Sequence, residues 1–441
     1  MCDEGKSNDD VQEPSLADKF SKLFSELEHC PESEQRKKIE EMNELVEEIN
    51  KEEFELVFNE ELYDKIYKMI EEKKISMENA LLLVKHIGYN KTSKSFWIYG
   101  FVDSSLCIRF EQMIVEEEQK KEEKNEKLMI DLCECYLLLI RWTSSKLIMI
   151  CMPCVLKVAM NKEESEEAQK EVEMALLALS NISFYTEIEK EAYLKKITEI
   201  IKHQQKHRNL TKLAYQSAWE FLIKRFTKDR NLEDMIVNEL HFGREASREL
   251  EELTRCIDWK KKGGEEMNKE ETKEEVILRK WIETISIYFR YCSLQNEEFV
   301  ELINSIVQIY RAAKDNHRRI CNWCIYSLRN AAERRVVKVE DLLKGGAVEA
   351  VLEEIYQLTL DDDFACESLH FFMYVSSRLK EKVKDEKEEE KRKAIKRKIF
   401  EKMEEEGYED IVVCFQEIID FINGIYYKAL PLNITDYFVN I

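Results

Sequence analysis

By type and spacing, the residues best suited to chemistry are two Cys-x-x-Cys pairs, Cys151-Met152-Pro153-Cys154 and Cys321-Asn322-Trp323-Cys324. One such pair can exchange thiol for disulfide when it follows a strand and its first thiol sits at a helix N-terminus, which lowers the thiol pKa. Two pairs together can supply four thiolates to a structural zinc ion. Neither context fits. Leu147, Ile148 and Ile150 precede the first pair and Val155, Leu156 and Val158 follow it, an apolar helical run with no β-rich pattern nearby. In such a run a thiol behaves as a small hydrophobe. The two pairs are also much further apart than the roughly 15–20 residues that separate the pairs of a zinc ribbon. Cys133 and Cys135 point to opposite sides of one helix and do not chelate together.

Only His203 and His207 stand at i, i+4, the geometry of a two-histidine metal edge, but Gln204, Gln205 and Lys206 lie between them. The glutamate that serves as general base in a zincin is missing. No glycine-rich phosphate loop, dinucleotide fingerprint, nucleophile elbow or kinase signature occurs. The expectation is a protein that is not an enzyme, with no catalytic, cofactor or metal residues. The alternatives are a zinc- or thiol-dependent factor using the Cys pairs, or a purely structural assembly subunit.

Charge is more informative. Ninety acidic against sixty-eight basic residues give a formal charge of −22. That disfavours nucleic acid and anionic membrane, both of which require a basic footprint. Within this acidic chain two stretches run the other way. Lys202–Arg230 holds eight Lys and Arg against Glu220 and Asp229, and Arg311–Lys338 holds eight against Asp315 and Glu333. In the second stretch Arg319, Trp323, Tyr326, Asn330 and Arg334 follow i, i+3/i+4 spacing and share one helix face. Aromatic and Arg groups are the usual anchors of a binding hot spot, and Arg suits carboxylate or phosphate. These five residues are the candidate partner-binding set, and the partner they suit is a protein or peptide with an acidic or phosphorylated segment.

The elements that must hold such a face are helices. Four prolines and ten glycines are too few for the turns of a sandwich or barrel, and 36% charged with 44% apolar residues suits amphipathic helices. Apolar signatures recur about every 42 residues, at Cys133–Leu139, Met174–Leu179 and Ala218–Ile223, and return at Cys324–Leu328 and Leu369–Val375. A helical unit of that period is the sequence mark of an α-solenoid, in which each unit buries its face only by stacking. Asp131, Glu134, Arg141, Lys146 and Lys157 interrupt the most apolar stretch, so it cannot span a bilayer. The polar N-terminus lacks a signal-peptide pattern, and thirteen cysteines on largely apolar faces suit a reducing compartment, the cytoplasm or the nucleus.

Along the chain, residues 1–14 read as a disordered tail and 15–105 as an N-terminal helical cap, with helices over 52–72 and 76–88. Repeats follow over 106–258, then a charged loop over 259–275 around Gly263-Gly264. Residues 276–441 form further repeats, with a charged helical extension at 381–398 and a C-terminal cap.

The run from Val339 to Ile355, with Lys344-Gly345-Gly346-Ala347-Val348 at its centre, resembles the start of an armadillo repeat, with Phe364–Lys380 as its third helix. Ala175–Ile182 resembles an armadillo third helix as well. The resemblance implies an all-α, right-handed α-solenoid of armadillo-like repeats that serves as a non-catalytic protein-interaction scaffold, with Asn330 as the asparagine of a binding groove. The tryptophan ladder of nuclear-import adaptors of this fold is missing, since Leu177 and Tyr326 stand where tryptophans would precede Asn181 and Asn330. The whole chain also resembles a multi-copy protein family of anaerobic protists, which implies no activity.

Overall fold

The computed structural model describes residues 14–93, 105–120, 125–139, 145–161, 163, 165–181, 191–208, 210–225, 230–259, 271–348, 350–351, 368, 370–371 and 374–375. Among these residues every regular element is a helix, so the chain is all-α. It divides into two compact units, residues 1–225 with 270–276 and residues 226–269 with 277–441. The tail, the centre of the Gly263-Gly264 loop, the charged extension, the C-terminal cap and most of the helix expected over Phe364–Lys380 lie outside the described residues.

In the first unit, α1 (Leu16–Leu27), α2 (Glu32–Glu48), α3 (Lys51–Val57), α4 (Glu60–Glu71) and α5 (Met77–Ser93) are followed by three helix pairs. These are α6 (Ser105–Gln119) with α7 (Glu126–Leu139), α8 (Ser145–Ala159) with α9 (Glu166–Ser180), and α10 (Glu191–His207) with α11 (Lys212–Arg225). Helices α2, α5, α7, α9 and α11 pack in succession as one layer, and α4, α6, α8 and α10 form the other. Several starts are signalled locally. Ser15 and Asp18 make a reciprocal capping box on α1, Asn125 caps α7, Ser165 caps α9 and Thr211 caps α11.

The repeat signature marks the core. Leu137, Leu179 and Leu222 lie on α7, α9 and α11, and each is at most 1% exposed. Between successive helices of that layer a second regularity appears, which is polar. The Asn181 amide donates to the Leu137 carbonyl at 3.3 Å, Lys224 Nζ to the Ser180 carbonyl at 2.7 Å, and Lys91 Nζ to the Leu139 carbonyl at 2.9 Å. These acceptors lie in the last turn of a helix, where carbonyls have no intrahelical donor.

One expected element differs. The helix over 52–72 is two helices, because Asn59 accepts from the Leu62 amide at 3.2 Å and opens α4 as its N-cap. An Asn that bonds its own backbone competes with helix continuation.

The second unit contains α12 (Arg230–Asp234), which runs into a π-helical turn at Met235–Glu239. It continues with α13 (Phe242–Cys256), most of α14 (Lys273–Tyr291), α15 (Glu298–Ala313), α16 (Arg318–Arg334) and α17 (Val339–Lys344). Helix α15 packs against both α13 and α16. The turn between α14 and α15 is closed by buried Glu233, whose carboxylate accepts from the Ser293 amide and hydroxyl and from the Leu294 amide. Helix α17 ends at Gly346, whose φ of +75° an L side chain rarely adopts, and a Cβ there would stand 2.5 Å from Arg311 Nη2.

Two consequences can be measured. Replacing Leu179 by Ala leaves a cavity between stacked helices, and chemical denaturation is expected to show a loss of about 2–5 kcal/mol. A loss below about 1 kcal/mol would mean that the α9 face is not enclosed as described. The second concerns His86 on α5, whose pKa is lowered to about 4 by burial and then by the Lys170 and Lys85 charges. The unfolded chain takes up this proton near pH 6.5 and the folded protein does so only near pH 4. Stability therefore falls as pH drops through that window, by roughly 1–3 kcal/mol. H86Q is expected to remove that component from a stability profile between pH 7 and 4.

Candidate functional site

The candidate face lies on α16 in the second unit. Its helix runs from Arg318 to Arg334, and Arg335, at φ +60°, closes its C-terminus by donating its amide to the Ala331 carbonyl. One side is core, with Ile320, Cys321, Cys324, Ile325 and Leu328 no more than 1% exposed. The opposite side presents the predicted set. Arg319 and Arg334 are exposed, and Trp323 and Tyr326 are half-buried. The Trp323 and Tyr326 rings stand 5.6 Å apart at 43°, a tilted pair that leaves part of each ring at the surface. Tilted and edge-on pairs are favoured aromatic arrangements, so neighbouring rings hold each other's orientation.

Asn330 is placed differently from the other four. It is 4% exposed, its amide donates to the Ser286 carbonyl at 2.9 Å and lies 3.0 Å from the Ser286 hydroxyl, and its Oδ1 accepts from Arg329 Nη1 at 2.8 Å. It ties α16 to α14, and the Ser327 hydroxyl, 2.9 Å from the Trp323 carbonyl of its own helix, lies 3.2 Å from the Ile282 carbonyl of α14. Asn330 therefore positions the face from behind.

The local positive charge divides in the same way. Arg329 pairs with Glu333 at 3.3 Å and lies over the Tyr374 ring, and Arg311 packs against Gly346. Arg318, Arg319, Arg334, Arg335 and Lys338 are exposed. Part of the basic run is thus internal packing, and the other cations keep exposed side chains.

In the other basic stretch Lys202, Lys206 and Arg208 are exposed, whereas Lys224 is structural. Lys224 lies 2.5 Å from Glu220 and also bonds the Ser180 carbonyl. The His203 and His207 rings stack with centroids 4.4 Å apart. Gln204 between them is buried, bonds both the amide and the carbonyl of Leu210, and closes the turn into α11.

The thiol pairs sit in helical packing, each within its own unit. Cys151 is fully buried and Cys154 half-buried on α8; Cys321 and Cys324 are both buried on α16. Hydrogen bonding with Cys133 and then burial push the Cys154 thiol up. Burial pushes the Cys321 pKa to about 12 and also holds the Cys324 thiol well above the usual range. The partner of the first pair is Cys133 on α7, a neighbour that the sequence reading missed because it compared Cys133 only with Cys135. Contact of α7 with α8 brings the three thiols together, and no local spacing announces it. Among the described residues no group of three or more His, Cys, Asp and Glu side chains is arranged to hold a metal ion, and no helix is long and apolar enough to cross a membrane.

No protein-family model matches the chain, and no curated protein matches it. Among solved structures it is similar to two engineered proteins from a structural-genomics consortium. One alignment covers 93% of this chain and 99% of the engineered one, with 11% identity and a TM-score of 0.44. The other covers 61% and 97%, with 12% identity and a TM-score of 0.39. Likeness at these scores carries no argument about function.

Burial of the thiols predicts their reactivity. Alkylation of the native protein at pH 8, mapped by mass spectrometry, is expected to label exposed Cys256 well before Cys151, Cys154, Cys321 or Cys324. Labelling of Cys151 or Cys321 as fast as Cys256 would restore a thiol-based function.

Proposed function

We propose that this chain is a non-catalytic interaction scaffold, a right-handed armadillo-like α-solenoid that works in the cytoplasm or nucleus and binds a protein or peptide through α16. The observation that carries this reading is the exposed line of Arg319, Trp323, Tyr326 and Arg334, fixed from behind by Asn330 and Ser327. A binding hot spot needs rigid aromatic anchors that lose little entropy on docking, with cations at the rim to orient the partner. Trp323 and Tyr326 are half-buried and stand against each other, and Arg319 and Arg334 flank them towards the two ends of the helix.

The partner chemistry follows from charge. The protein as a whole is acidic, so a second acidic molecule is repelled everywhere except at a local basic surface. An acidic or phosphorylated segment would therefore be favoured at a local basic surface such as the α16 face. Arg, with its planar fork, takes carboxylate or phosphate in bidentate fashion. The armadillo-like repeat type is supported by the Gly346 turn after α17 and by the polar bonds that join alternate helices about 44 residues apart in both units.

Affinity capture with mass spectrometry tests the reading. The double variant R319A/W323A is expected to lose at least about tenfold in recovery of partners retained by the unaltered protein, while its circular dichroism stays helical. Undiminished recovery by a folded double variant would reject α16 as the binding face.

A further inference from the structure

The last two turns of α10 carry His203 and His207 side by side. Their rings stack, with centroids 4.4 Å apart and 27° between the planes. His203 is half-buried and His207 exposed. Among the described residues His207 has neither a hydrogen bond nor an ion pair, so its ring nitrogens face water. The backbone beneath the rings is fixed. Buried Gln204 bonds both the amide and the carbonyl of Leu210, and Arg208, at φ +55°, ends the helix by donating its amide to the Gln204 carbonyl at 2.9 Å.

We propose that His203 and His207 together chelate one divalent transition-metal ion of borderline softness, of the Ni²⁺ or Zn²⁺ type. Imidazole nitrogen suits these ions. Residues at i and i+4 hold their Cβ atoms about 5–6 Å apart, and a metal–nitrogen bond of this class is about 2.0–2.1 Å. Two rings can therefore meet one ion if they leave the helix in the same direction, and the stacked contact shows that these two do. The adjustment that remains is rotation about each Cβ–Cγ bond, a broad torsion for histidine. Chelation takes one nitrogen from each ring. The other stays available for the hydrogen bond that ligating histidines usually make.

Charge around the pair favours a cation in two ways. Glu199 stands one turn before His203 on the same face, exposed and without a hydrogen bond or ion pair among the described residues. Its carboxylate offsets exposed Lys202 and Lys206 nearby, whose charges are screened by water. His207 is also the last residue of α10, where the helix dipole favours positive charge. No third His, Cys, Asp or Glu is arranged with the pair among the described residues, so water completes the coordination. The glutamate missing between the histidines bars the hydrolytic chemistry of a zincin, but binding does not require it. An ion held across the last turn fastens the end of α10 where the chain turns into α11, and binding to the folded state alone raises stability.

Isothermal calorimetry of the full chain with Ni²⁺ at about pH 7.5 tests the site. Ni²⁺ is the better probe because Zn²⁺ also draws on thiolates such as that of exposed Cys256. One Ni²⁺ per chain is expected, with a Kd of roughly 10–100 µM, and the melting temperature is expected to rise as Ni²⁺ is added. H207Q, at an exposed position, is expected to weaken binding about tenfold or more and to remove that rise, and H203Q to do the same. H241Q, at the ring beside Glu298 in the other unit, is expected to bind as the unaltered protein does. The proposal is overturned by no Ni²⁺ binding tighter than roughly 1 mM, by H207Q binding as tightly as the unaltered protein, or by a loss of binding in H241Q alone.

Discussion

Stacked helices bring the ends of one helix against the flank of another, and the last-turn carbonyls of each helix then have neither an intrahelical donor nor free water. The rest of this structure depends on how that constraint is met. In the first unit Lys91 supplies the end of α7, Asn181 reaches the same turn from α9, and Lys224 supplies the end of α9. In the second unit Asn330 and Ser327 reach carbonyls in the interior of α14, those of Ser286 and Ile282, so there the cross-helix bond adds to the intrahelical ladder. Each bond joins a residue to one 43–48 positions away in sequence. Apolar burial is non-directional and would tolerate sliding of one helix over the next. A polar side chain with one acceptor does not, so these bonds set the register in which the leucine faces meet.

The same constraint explains why so acidic a chain carries buried charge. Glu233 is inside because three donors of the α14–α15 turn converge on it, and Glu173 because Tyr89 donates to it at 2.9 Å. Glu134 is satisfied on one side, where Oε2 meets Lys85 Nζ at 2.6 Å. Surface charges are cheap to place, but a buried one needs each of its lone pairs addressed. On α16 the logic is reversed, since cations and rings there are held at the surface by polar bonds behind them.

Much of the helical layout was legible in the residues. The periodic positions Leu137, Leu179 and Leu222 are core because an amphipathic face at fixed spacing has no other place to go. Capping residues marked the starts, and Asn59 would have split the 52–72 helix had its capping role been weighed against the apolar pattern on either side. Four of the five residues assigned to the α16 face remain at the surface, whereas Asn330, in line with them by spacing, is drawn inward by Ser286. Helical spacing gives direction around the axis only, and burial depends on what lies across from it. Glu134 left a sequence trace as a lone carboxylate within an apolar run, but a single such residue is as easily a surface position.

The sequence by itself determined that the chain is helical, that its helices bury one face by stacking at a 42-residue period, and that two stretches within the repeats carry a local excess of positive charge. These are properties of local spacing and composition, and local chemistry suffices to write them. Tertiary structure alone decided which polar groups face each other: Cys133 beside Cys151 and Cys154, Lys85 between Asp131 and Glu134, Asn330 against Ser286. Such pairings join residues on different helices, and the distance between them depends on the register of packed layers. No spacing along the chain encodes that register until the helices have docked.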